Sequence, residues 1–273
     1  MTDCSIRMSG VTKRYAGTLA LDEVTFSVRP GEFVALLGPS GAGKSTVFRC
    51  LTALARPDAG EVAILDAPIH TLSGTGLRDA RRAIGLIFQQ FNLIARLSAI
   101  DNVLAGRLGH VATWRVFCRM FPEADRQLAL SCLDRVGLLE RAYQRADSLS
   151  GGQQQRVAIA RVLAQQSRIV LADEPVSSLD PESAGNVLML LQRIAREAGI
   201  AVLCSLHQVE LARRFADRII GLRSGRVVFD ASAQALDAAA LARIYGSGAD
   251  AVEPEGESKV EVGPAVALAA MAG

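Results

Sequence analysis

The sequence predicts an α/β protein with a parallel-sheet core, and three stretches carry that prediction. "EFVALLG" (Glu32 to Gly38) is a short apolar run that ends at a glycine. It leads into "STVFRCLTAL", where Val47, Leu51 and Leu54 recur at helical spacing. Strand, loop and helix follow in that order. "RIVLADEP" (Arg168 to Pro175) and "IAVLCSLH" (Ile200 to His207) are apolar runs of strand length, each followed by a helical pattern. Strands buried on both faces of a parallel sheet read this way.

The flanking regions differ in pattern. "VTFSVRPGEF" and "GEVAILDAPI" alternate as half-exposed antiparallel strands do, which predicts an N-terminal antiparallel β-subdomain. From about residue 93 to 145 the spacing is helical, with no strand, so a helical subdomain is expected to be inserted into the sheet domain. The folded unit is expected to span 1–246. Residues 247–273 are rich in Gly, Ala, Pro and Glu without periodicity, and are expected to form a flexible tail whose acidic side chains are solvated.

With 273 residues, 50% of them hydrophobic and 21% charged, the chain is large enough to bury a substantial core. Its net charge of +2 arises from 30 basic and 28 acidic residues. That balance argues against a nucleic-acid partner and against a polybasic membrane patch. The five cysteines are scattered and odd in number, which predicts reduced thiols in a cytosolic setting. No run approaches the roughly 18 apolar residues of a membrane span, and the N-terminus has no signal-peptide core. Any membrane is expected to be crossed by another chain. His70 and His110 are expected to be surface residues.

"GPSGAGKST" comprises Gly38, Pro39, Ser40, Gly41, Ala42, Gly43, Lys44, Ser45 and Thr46, and matches G-x-x-x-x-G-K-[ST] between the predicted strand and helix. The glycines let successive N–H groups converge on phosphate oxygens at the positive end of the next helix. This predicts a nucleoside-triphosphate site. Lys44 is one of only three lysines, the others being Lys13 and Lys259. A compact ammonium suits a place between phosphates better than a guanidinium fork does. Ser45 is placed to ligate Mg²⁺. "RIVLADEP" delivers Asp173 and Glu174 to the carboxyl end of a strand, the edge where open α/β sheets hold ligands. Asp173 is the candidate to hold Mg²⁺ through water, and Glu174 the candidate general base for the attacking water.

"LSGGQQQRVAIAR" (Leu149 to Arg161) begins with Ser150 followed three residues later by Gln153, which is a capping box. A cap needs neither Gly151 nor Gly152, each costing about 1 kcal/mol inside a helix. Side-chain-free positions at a helix N-terminus make a second anion site, while the chain has a single phosphate loop. The economical arrangement is a two-fold, head-to-tail homodimer in which this site closes on the nucleotide of another copy.

Taken in order, Tyr15, the phosphate loop, Gln89 in "IFQQF", "LSGGQQQR", "LADEP", "SSLD" and His207 resemble the motifs of ATP-binding-cassette (ABC) ATPases over about residues 5 to 245. The resemblance implies a phosphate-loop NTPase with a RecA-like parallel core. It also implies that Tyr15 stacks on adenine and that Gln89, or its neighbour Gln90, reaches Mg²⁺ or the attacking water. Ser150, Gly151, Gly152, Gln153 and Asp180 would face the partner's ATP, and His207 would contact the γ-phosphate beside Glu174.

"FQQFNLIARLSAIDNVLAGRLGHVATWR" and "LADEPVSSLDPESA" further resemble the ATP-binding subunits of bacterial phosphonate importers. That implies Mg·ATP as the energy source, a homodimer on the cytoplasmic face of the inner membrane and two transmembrane permease subunits. It also implies an extracytoplasmic phosphonate-binding protein that acts through the permease. Trp114, Val116, Phe117 and Met120 are read either as core of the helical lobe or as a groove for the permease. The alternatives are an ABC importer for another small solute, a lipoprotein-release ATPase, or a soluble regulatory cassette.

Overall fold

The computed structural model describes residues 4–111 and 120–246. The expected flexible tail, and Trp114, Val116 and Phe117, lie outside the described residues. Met120 is described and exposed.

The chain opens with the hairpin of β1 (Ile6–Tyr15) and β2 (Thr18–Val28). Next come β3 (Phe33–Leu37), α1 (Lys44–Leu51), β4 (Ala59–Ile64), β5 (Ala67–Pro68), α2 (Gly74–Arg82) and β6 (Ile84–Phe88). They are followed by α3 (Ala99–Leu104), α4 (Glu123–Arg135), α5 (Gly151–Ala164), β7 (Ile169–Asp173), α6 (Pro181–Ala198) and β8 (Ala201–Ser205). The described part closes with α7 (Val209–Phe215), β9 (Arg218–Arg223), β10 (Arg226–Ser232) and α8 (Ala238–Tyr245).

Two sheets form. β2-β1-β4-β5 is antiparallel throughout, whereas β10-β9-β3-β8-β7-β6 is parallel except for the β9–β10 hairpin. The apolar runs that read as doubly buried strands are the middle of the second sheet. Along β3, Phe33, Ala35 and Leu37 enter one core, while Val34 and Leu36 enter the other. β7 divides in the same way, with Val170 and Ala172 opposite Ile169 and Leu171. One core lies between the two sheets and includes α1. The other packs α5 and α6 on the opposite face and runs on without a break into α3 and α4, through Val103, Leu133 and Val157. The α3–α4 lobe therefore shares its core with the sheet. A buried ion pair ties the lobe internally, with Arg107 Nε 2.8 Å from Asp125 Oδ1, and Arg107 also donates to the carbonyl of Ala164 at the end of α5 (3.0 Å).

One local expectation fails. α1 stops at Leu51, and Ala53 turns left-handed at φ 53°. Leu54 is 70% exposed and is not a core residue. Val47 and Leu51 alone carry the predicted spacing inward. The helix end is sealed by Thr52, whose hydroxyl donates to the Phe48 carbonyl at 2.9 Å, a local bond that apolar spacing does not report.

Candidate active site

The phosphate loop is shaped by what surrounds it. A Cβ on Gly38 would stand 2.3 Å from the Leu222 carbonyl oxygen of β9, and one on Gly43 would stand 2.7 Å from that of Ala20 in β2. Both are backbone atoms held in sheets, so neither can withdraw. The tight Ser224–Gly225 turn joining β9 to β10 adds a strut, with the Gly225 N–H donating to the Ala42 carbonyl at 3.0 Å. α1 follows at Lys44 with Gly43 as N-cap and without a side-chain capping bond, so its first N–H groups remain for an anion. Lys44 lies under the loop, 7% exposed, and its Nζ donates to the carbonyls of Gly38 (2.6 Å) and Pro39 (3.1 Å). Burial lowers its pKa, while the charges of Glu174 and Asp173 oppose that shift.

The carboxylates stand at the carboxyl edge of the parallel sheet. Phe88 of β6 pairs with Asp173 of β7, which pairs with Ser205 of β8, so the three strand ends are level. Asp173 Oδ1 accepts from the Ser205 hydroxyl at 2.8 Å, and the same oxygen of Ser205 accepts the Glu174 N–H at 2.9 Å. Glu174 is left-handed at φ 49°, a conformation that costs a non-glycine residue about 1–2 kcal/mol. Its carbonyl accepts from the Ser177 hydroxyl (3.0 Å), and its Oε1 lies 2.5 Å from His207 Nε2. The base predicted from sequence is thus held at both backbone and side chain.

Ser45, Gln89, Gln90, Asp173 and Glu174 line one cleft of about 450 Å³. A hydroxyl, amide oxygens and a carboxylate are the hard donors that Mg²⁺ takes, so the residues present fit that ion. Both glutamines reach the cleft, and the choice between them stays open. Their loop is fixed from α5. Arg161 donates to the carbonyls of Asn92 (2.6 Å) and Phe91 (3.3 Å), both of which are left-handed residues. Sequence reading missed Arg161, Ser205 and Gly225.

Ser150 caps α5, and the capping box forms in both directions: the Gln153 N–H donates to Ser150 Oγ, and the Ser150 N–H to Gln153 Oε1 (3.1 Å). The glycines have a packing role within the chain. Gly152 is buried, and a Cβ there would meet Ser183 Oγ at 2.9 Å and Ser183 Cβ at 3.1 Å. On Gly151 a Cβ would meet Leu179 at 3.2 Å. The start of α5 therefore packs closely on the first turn of α6 and the turn before it. Asp180 caps α6 by accepting the Ser183 N–H at 2.9 Å, and hydrogen bonds from Ser183 hold its carboxyl below the usual carboxylate range. Neither Asp180 nor Ser150 to Gln153 lines the cleft of Ser45 and Glu174.

Tyr15 ends β1 and is 38% exposed, with Lys13 Nζ 5.4 Å from its ring centroid. Lys13 also pairs with Asp58 at 2.9 Å, which gives this scarce lysine a structural partner. His110 is exposed, as expected, whereas His70 is half-buried and its Nδ1 engages the Val62 backbone. Cys4, Cys50, Cys132 and Cys204 are free thiols. Among the described residues no helix is long and apolar enough to cross a membrane.

A glycine loop at a helix start free of side-chain capping, with a carboxylate pair at the end of β7, two strands from β3 in the same sheet, defines a phosphate-loop nucleoside triphosphatase. Within that class the chain belongs to the ABC transporter family, whose model matches residues 21–177. It is 54% identical to the hypophosphite import ATP-binding protein HtxD of Stutzerimonas stutzeri, over 84% of this chain and 67% of that protein. It is also 54% identical to the phosphonates import ATP-binding protein PhnC of Frankia casuarinae, over 89% of this chain and 97% of the relative. Among solved structures it resembles a dimeric bacterial ABC transporter cassette, at a TM-score of 0.72 and 38% identity over 84% of this chain and 98% of that one.

Proposed function

We propose that this chain is the ATP-hydrolysing subunit that energises an importer for phosphonates, working as a homodimer under two permease subunits at the cytoplasmic face of the inner membrane. Residues 1–246 form the ATPase unit, with the lobe at about 93–145 facing the permease. An extracytoplasmic binding protein delivers the phosphonate, which never touches this chain.

The observation that carries this reading is the 54% identity to a phosphonates import ATP-binding protein along nearly its whole length. Equal identity to a hypophosphite import protein supports a second cargo, another small phosphorus oxyanion.

The site residues divide the work. The loop from Gly38 to Thr46 and Lys44 hold the phosphates of ATP, with Tyr15 against adenine. Ser45, Asp173 and Gln89 hold Mg²⁺, which when bound neutralises charge on the transferring phosphoryl group. Glu174 takes the proton of the attacking water and His207 keeps its carboxylate in place. Ser150, Gly151, Gly152, Gln153 and Asp180 close on the ATP of the partner, so each nucleotide favours the closed dimer through contacts made only there. The dimeric state of the related cassette and the position of these residues outside their own chain's cleft support this arrangement.

The test is ATP hydrolysis by the chain reconstituted with its permease and binding protein. Stimulation by phosphonate is expected. Stimulation by hypophosphite alone selects the second cargo, and stimulation by neither refutes both.

A further inference from the structure

Ser205 is the one hydroxyl in β8, a strand whose every residue is buried, and it is itself fully buried. Its single proton goes to Asp173 Oδ1 at 2.8 Å, and a lone pair receives the Glu174 N–H at 2.9 Å. Two neighbours in sequence, each with a different task, thus share one atom on the adjacent strand. The left-handed turn at Glu174 (φ 49°) carries this residue out of the β7 ladder, so its N–H has no strand partner and depends on that oxygen. Two residues further on, His207 Nε2 meets Glu174 Oε1. The end of β8 therefore grips the base twice, at the amide through Ser205 and at the carboxylate through His207.

We propose that Ser205 is a positioning residue for hydrolysis: its hydroxyl locks the Glu174 backbone in the turn that aims the carboxylate, and fixes which oxygen of Asp173 remains free for the metal side. This rests on the reading of Glu174 as the base. An alanine at 205 leaves the amide of Glu174 and one oxygen of Asp173 without their partner, and the turn loses the bond that selects it. Cysteine at the same place keeps the shape and burial but is a weak donor and acceptor. Threonine keeps the hydroxyl and suits a strand.

The experiment compares Ser205→Ala, Ser205→Cys and Ser205→Thr as full chains. In nucleotide-free protein, deuterium uptake of the peptide containing Glu174 should rise for Ala and Cys and stay near wild type for Thr. In the assembled transporter, kcat should fall at least tenfold for Ala and Cys, with KM for ATP within about threefold, and Thr should restore it. In a Glu174→Gln background the further loss from Ser205→Ala should shrink below about twofold, because Ser205 acts through Glu174. Unchanged uptake and kcat in both Ala and Cys, or a loss that is fully additive with Glu174→Gln, overturns the proposal. If Glu174→Gln itself hydrolyses ATP at the wild-type rate, the assignment of the base fails instead.

Discussion

Gly152→Ala separates the packing of the glycines at the head of α5 from the role proposed for them at the partner's nucleotide. Helix propensity alone favours alanine by about 1 kcal/mol in a helix interior. Against this, the new Cβ would lie 2.9 Å from Ser183 Oγ and 3.1 Å from Ser183 Cβ. The hydroxyl is the free end of a small side chain and can rotate, but Ser183 must yield by a few tenths of an ångström. Its N–H is the donor to Asp180, so the displacement weakens an N-cap of the kind worth about 1 kcal/mol. The two effects nearly cancel. Net stability should change by less than about 1 kcal/mol, a Tm shift within roughly 4 °C for a chain of this size. Alanine keeps the residue-152 N–H, so hydrolysis should fall, by at least tenfold, through displacement of the α5 start and of Asp180 from the places proposed for them at the partner's nucleotide. Differential scanning fluorimetry and steady-state ATPase rates on the same preparation make the comparison. A loss of more than about 3 kcal/mol, or full activity, would refute the division of roles.

Three further outcomes follow from the site and its surroundings. Lys44→Arg should lower ATP affinity at least tenfold by titration calorimetry, because a larger fork must enter a site that is 7% exposed and bounded by two loop carbonyls. Cys50, on the buried face of α1, the helix that follows the phosphate loop, has its pKa pushed up to about 11 from 9.0 by burial. The folded state therefore retains its proton more strongly than the unfolded chain, and stability present below pH 9 should be lost as pH rises towards 11. Urea unfolding across that window should show a smaller loss in Cys50→Ala. Finally, Arg107→Ala strands Asp125 at an ion pair whose side chains are 11% and 12% exposed, and should cost about 3 kcal/mol in chemical denaturation.

Much of the fold was legible because its signals are local. Strand, glycine loop and helix around Gly38 to Thr46 follow one another in the chain, and strands covered on both faces leave continuous apolar runs. Asp173 and Glu174 could be placed because they end such a run. What stayed hidden depends on pairs distant in sequence. Gly152 meets Ser183 only after α5 and α6 fold together, and Gly225 meets Ala42 only once β9 pairs with β3, far away in sequence. Ser205 left a trace, a hydroxyl at the end of the apolar run "AVLCS", but its meaning needs the parallel register that sets it beside Asp173. Leu54 misled because apolar spacing continues past the point where Ala53 turns the backbone left-handed.

The claim that two copies share each nucleotide is tested most directly by sedimentation of Glu174→Gln with saturating Mg·ATP, with and without Gly152→Asp. A stable dimer that appears only with ATP, and that the added aspartate abolishes while monomeric ATP binding persists, is predicted. A monomer at saturation, or a dimer indifferent to Gly152→Asp, would contradict it.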